Sequence, residues 1–130
     1  GAKRAYHHTA PVNSMYAMYE ALLILKEEGL ENAWQRHALG HEKLAQGLNE
    51  LGLELTVDSA YRLPQLNVVK IPDGVDDAAV RKQLLEDFNL EIGAGLGDHA
   101  GKVWRIGLMG YACKPRNIDH CLAALRTVLK

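Results

Sequence analysis

An arginine inside an apolar run has the most to explain in this sequence. Arg105 stands within Val103-Trp104-Arg105-Ile106-Gly107-Leu108. Its guanidinium carries five N–H donors and does not shed its charge, so it needs an acceptor wherever it sits. On an alternating strand Arg105 shares a face with Val103 and Gly107, opposite Trp104 and Ile106. A structural salt bridge or an exposed sheet face would satisfy it, and so would a carboxylate ligand held bidentately. A second constellation lies near the start of the chain. Tyr6-His7-His8-Thr9 sets two hydroxyls and two imidazoles just ahead of Pro11, a residue suited to the first turn of a helix. Hydroxyls at a helix start donate to phosphate, and they also cap; Thr9 fits either role.

Other chemistry is weaker. His37 and His41 are four apart on a helix, the spacing at which two imidazoles meet one metal ion. The residue after His37 is Ala38 rather than Glu and no third ligand is evident, so they read as solvated helix histidines and no metal site is expected. Gly93-Ala94-Gly95-Leu96-Gly97 superficially matches a dinucleotide fingerprint. That motif works by handing phosphate to a helix N-terminus, whereas the strand-like Lys102–Ile106 follows here. The glycines then serve a plain turn or a close approach to a ligand or neighbouring chain. No Gly-x-Ser-x-Gly elbow occurs, Ser14 and Ser59 have no evident base, and Glu20, Glu27 and Glu28 read as solvated. Cys113 and Cys121 do not form a Cys-x-x-Cys motif. They read as a loop thiol and a small buried residue of the last helix.

The elements that must position these residues follow from periodicity. Val12 to Leu51 is helical, with Met15, Met18, Tyr19, Leu22, Leu23 and Leu25 on one apolar face, and Trp34, Leu44 and Leu48 continuing beyond Gly29. This predicts two helices, or one helix disturbed at Glu28-Gly29. The period then shifts to two. Strands are predicted at Leu53–Val57, Leu66–Ile71, Leu90–Ile92 and Lys102–Met109. Between the second and third, Asp76 or Asp77 caps a helix turning Val80, Leu84, Leu85 and Phe88 inward; Pro115 opens a final helix carrying Ile118, Leu122, Leu125 and Val128. The order α-α-β-β-α-β-β-α implies an α+β fold, a small mixed or antiparallel sheet covered by helices.

The totals agree with an ordinary globular domain. The chain has 130 residues, 48% of them hydrophobic, and 15 basic against 16 acidic residues without long blocks, a net charge of −1. That balance argues against a nucleic-acid or acidic-membrane partner. No apolar run approaches the length of a membrane span. Without a signal-peptide layout, and with two cysteines, a cytoplasmic compartment is the expectation, a peroxisome or mitochondrion being alternatives for a eukaryotic source.

Several stretches taken in order carry a resemblance. They are Tyr6-His7-His8-Thr9 with Pro11-Val12, Glu20-Ala21-Leu22, Glu27 to Asn32 with Trp34, Arg62-Leu63-Pro64, Gly95-Leu96-Gly97, and Gly101 through Gly110. Together they resemble the C-terminal part of class V, fold type I aminotransferases of the serine–pyruvate and alanine–glyoxylate kind. The resemblance implies a homodimeric enzyme that uses pyridoxal 5'-phosphate and moves an amino group between an amino acid and a 2-oxo acid. It implies that Arg105 binds the substrate α-carboxylate, and that Tyr6 and Thr9 reach the cofactor phosphate of the partner subunit. It also implies that residues 1–12 end a large cofactor-binding domain, 13–50 form a connecting helical segment, and 51–130 form the small domain. Transamination needs a lysine to hold the cofactor aldehyde. In the family that lysine lies upstream of the matched region, and neither Lys3 nor Lys26 fits its motif. No catalytic residue is therefore expected in this chain. The competing reading is a stand-alone α+β module that binds a carboxylate or a protein without catalysis.

Overall fold

The computed structural model describes residues 3, 5 and 7–130. The chain divides into two compact units, residues 1–34 and 35–130. Helix α1 (Val12–Glu28) belongs to the first. Helix α2 (Leu30–Glu50) begins one residue later, and Gly29 separates them. At φ 85° and ψ 142° Gly29 takes a conformation that suits only glycine, while its N–H still bonds Leu25 O at 2.9 Å. The expected break therefore falls at this glycine. The apolar residues expected on one face of α1 stay largely uncovered. Met15, Tyr16, Met18, Tyr19, Leu22 and Ile24 are all exposed, and α1 buries no residue. Trp34, too, is exposed rather than inward.

In the second unit a sheet is covered by helices. Strands β1 (Leu66–Lys70), β2 (Gly93–Ala94) and β3 (Val103–Gly107) form an antiparallel sheet in the order β1-β3-β2. Register places Asn67 opposite Ile106, Val68 opposite Arg105, and Val69 opposite Trp104. Asn67, Val69, Trp104 and Ile106 are buried. The latter three join a core with Leu44 and Leu48 of α2, Val80 and Leu84 of α3 (Asp77–Phe88), and Ile118, Cys121, Ala124 and Leu125 of α4 (Pro115–Val128). This is the α+β arrangement expected, with every strand pair antiparallel.

Two expected strands shift. In Leu53–Val57 only Leu55 forms a bridge, to Val69; the segment runs beside β1 through Lys70 N–Glu54 O at 2.8 Å and Thr56 N–Val68 O at 3.0 Å. The third strand falls at Gly93–Ala94, not Leu90–Ile92, because the pairing with β3 sits there. Helix ends match their signals better. Asp76 caps α3 by accepting from Ala79 N at 3.0 Å, and Pro115 is the first residue of α4. Asn89, left-handed at φ 50°, closes α3 by donating to the carbonyls of Leu84 and Leu85. Leu85 points outward, and Phe88 packs at the core edge.

Candidate functional site

Arg105 lies at the middle of β3, half-buried, on the face opposite the buried Trp104 and Ile106. Its cross-strand neighbours are Val68 on one side and Gly93 on the other. The side chain leans over β2, where Nε donates to Ala94 O at 2.7 Å. Among the described residues no acidic side chain pairs with it. The structural salt bridge thus finds no counterpart there, and Nη1 and Nη2 keep donors for a further acceptor.

The neighbouring loop is built by close approach. A Cβ on Gly95 would stand 1.9 Å from His99 O, so the chain folds back on itself where only glycine fits. The short 3-10 turn Gly97–His99 follows, and then β3. A strand, not a helix N-terminus, receives this loop, so the dinucleotide reading fails in space as it did in sequence.

Three side-chain links hold β3 and its exit. On the core side, Trp104 Nε1 donates to Asp77 Oδ1 at 3.0 Å, and Arg81 Nε donates to the same oxygen at 2.8 Å. The hydrogen bond from Arg81, with its charge and the Trp104 bond, holds the Asp77 carboxyl below its ordinary range against the opposing effect of burial. Asn67, 2% exposed, donates to Ile106 O and Pro64 O at 3.4 Å each, while its Oδ1 lies 2.6 Å from His41 Nδ1. With the amide so oriented, His41 Nδ1 is the donor of that bond. Beyond β3, Gly110 N donates to His37 Nε2 at 3.2 Å and Gly110 O accepts from Arg36 Nη1 at 2.8 Å. His37 and His41 are thus half-buried, and each holds a different part of the chain rather than standing in solvent. No cluster of three metal-ligating side chains occurs among the described residues.

Thr9 is exposed, and α1 starts from Pro11 with no side-chain cap, so Thr9 does not cap it. Tyr6 lies outside the described residues. Cys121 is buried as expected. Cys113 lies in the loop before α4 as expected, and it too is buried, 1% exposed, with its Sγ donating to Arg36 O at 3.5 Å. Among the described residues no helix is long and apolar enough to cross a membrane. The features that sequence reasoning missed are Gly93, the Ala94 carbonyl and Asp77. The first two sat within a glycine-rich stretch already singled out; for Asp77, only its place in the first turn of α3 was visible.

No protein-family model matches the chain. It is 45% identical over 131 aligned positions to alanine–glyoxylate aminotransferase of Callithrix jacchus, covering 100% of this chain and 32% of that protein. It is 41% identical over 127 residues to (S)-ureidoglycine–glyoxylate transaminase of Bacillus subtilis (strain 168), covering 98% of this chain and 30% of that one. The crystal structure of alanine–glyoxylate aminotransferase from Nostoc sp. superposes with a TM-score of 0.92 at 51% identity, over 100% of this chain and 34% of that one. The chain therefore spans about a third of the length of the relatives it matches. Its α+β arrangement matches the small domain of an aminotransferase. In sequence and fold, the chain matches the C-terminal portion of aminotransferases of the alanine–glyoxylate and serine–glyoxylate type.

Proposed function

We propose that the protein to which this chain belongs transfers an amino group from alanine or serine to glyoxylate or pyruvate, and that Arg105 grips the α-carboxylate of the substrate. The observation that carries this reading is Arg105 itself. It is anchored through Nε to Ala94 O and has no acidic partner among the described residues, so its η nitrogens are prepared for a carboxylate. The relatives' names supply alanine and serine as donors and glyoxylate as acceptor, and a solved pyridoxamine–pyruvate aminotransferase of similar fold supplies pyruvate.

Pyridoxal 5'-phosphate is the proposed cofactor, and when bound it supplies the electron sink for amino transfer. The residues present suit the edge of such a site. Thr9 offers an exposed hydroxyl not spent on capping, a natural phosphate donor, and we assign it with Tyr6 to the phosphate of the partner subunit in a homodimer. On the same reading residues 1–12 end the larger domain, 13–50 connect, and 51–130 form the small domain. Arg105 orients: with one end of the substrate fixed, fewer rotations separate it from a reactive geometry. It moves no proton.

The test is Arg105→Ala in the full-length enzyme loaded with cofactor. Losing a desolvated charge pair costs about 2–5 kcal/mol, so kcat/KM for alanine should fall by about thirtyfold or more. Cofactor absorbance should stay. Unchanged kinetics would remove Arg105 from this role.

A further inference from the structure

Gly93 is not required by the backbone. Its φ is not among the positive values that single out Gly97 or Gly101, so an L-residue could adopt its conformation. Glycine also weakens a strand, and β2 is only two residues long. Something else must keep a side chain out, and the structure shows what it is. Gly93 is the register partner of Arg105, on the same face. A Cβ at Gly93 would stand 3.2 Å from Arg105 Nη2 and 3.4 Å from both Arg105 Nε and Cβ. The arginine side chain lies across the bare Cα of Gly93 and reaches Ala94 O at 2.7 Å.

We propose that Gly93 and the Ala94 carbonyl form a seat that fixes how Arg105 presents its guanidinium, which makes Gly93 a positioning residue for the substrate carboxylate. The proposal rests on the reading of Arg105 as the carboxylate clamp. A guanidinium offers a carboxylate two bidentate edges, one made by Nε with an η nitrogen and one by the two η nitrogens. Ala94 O occupies Nε and closes the first edge. The substrate is received end-on, through Nη1 and Nη2. A side chain at position 93 meets Nη2 first and tips the plane of the group.

The experiment compares Gly93→Ala, Gly93→Val, Arg105→Ala and the double variant Gly93→Val/Arg105→Ala in the full-length enzyme with cofactor bound. It reads KM for alanine, the inhibition constant of propionate (the carboxylate of alanine without its amino group), and cofactor absorbance as a check on folding. A misplacement near an ångström is worth about a hundredfold, so Gly93→Val should raise KM and the propionate constant together by about that factor, and Gly93→Ala by about tenfold or less. In the Arg105→Ala background Gly93→Val should change neither. If Gly93→Val leaves both constants alone while Arg105→Ala raises them, the seat is wrong and the clamp stands. Equal losses in the two backgrounds would mean general disturbance and also overturn the seat. If Arg105→Ala itself has no effect, clamp and seat fall together.

Discussion

Asp77 and Trp104 are 27 residues apart in sequence and meet at 3.0 Å, the indole Nε1 donating to Asp77 Oδ1. Trp104 is wholly buried, and Asp77 opens the first turn of α3, so this bond ties a helix start to the strand that carries Arg105. Asp77→Ala should cost about 2 kcal/mol, because a buried indole N–H loses its acceptor. Asp77→Asn keeps an acceptor for the indole and loses mainly the half-exposed ion pair with Arg81, so it should cost under about 1 kcal/mol. The native carboxyl titrates below its ordinary value of 3.8. Its stabilisation is complete above that value and is lost as pH falls through the lower native one. Urea unfolding followed by tryptophan fluorescence should show the gap between Asp77→Ala and the parent narrowing below pH 3.8. A gap independent of pH would contradict the assignment.

Two glycines of one loop should respond differently to the same substitution. At Gly95 a Cβ would meet backbone, 1.9 Å from His99 O and 2.5 Å from His99 C, so the turn itself must move. Gly95→Ala should cost about 3 kcal/mol, the upper end for overpacking. At Gly97 a Cβ meets nothing within 4 Å, and the difficulty is only φ +55°. Gly97→Ala should cost about 1 kcal/mol. Thermal or urea denaturation of the pair checks the order; equal costs would contradict the close approach.

Cys121 makes stability depend on alkaline pH. Burial pushes its thiol up from 9.0 to about 11. The neutral thiol stabilises the fold fully below pH 9.0, and that contribution is lost as pH rises toward about 11. The gap amounts to about 3 kcal/mol, an order-of-magnitude figure. Cys121→Ala should therefore flatten the fall of stability between these values. In the native protein a disulfide-exchange reagent at neutral pH should find neither Cys121 nor the buried Cys113, and both should react in guanidinium. Fast titration of either in the native state would contradict their burial.

The sequence displayed those features that depend on near neighbours. Asp76 and Pro115 mark helix starts because caps and first turns are local chemistry, and the alternation of Val103–Leu108 placed Arg105 on the face away from Trp104. What escaped depended on distant chain. Leu53–Val57 alternates, yet only Leu55 meets β1 squarely enough to bridge. The position of β2 was set by its pairing with Arg105 and Trp104 rather than by the apolar Leu90 and Ile92. On sequence alone His37 and His41 read as solvated helix histidines, whereas Gly110 and Asn67 claim them separately. For the site, the sequence offered Arg105 but not its seat. Glycine at 93 says only that a side chain is missing, not what fills the space.

The hold on Gly110 sets a limit on how this chain can change length. Arg36 takes its carbonyl and His37 receives its N–H, while one turn further along α2 His41 holds Asn67. An α-helix advances about 100° per residue, from its 3.6 residues per turn. One residue inserted between His37 and His41 would swing one grip out of phase with the other, leaving either the exit of β3 or the middle of β1 unheld. Loops at the surface of this domain are open to insertions and deletions; this stretch of α2 works as a ruler and is closed to them.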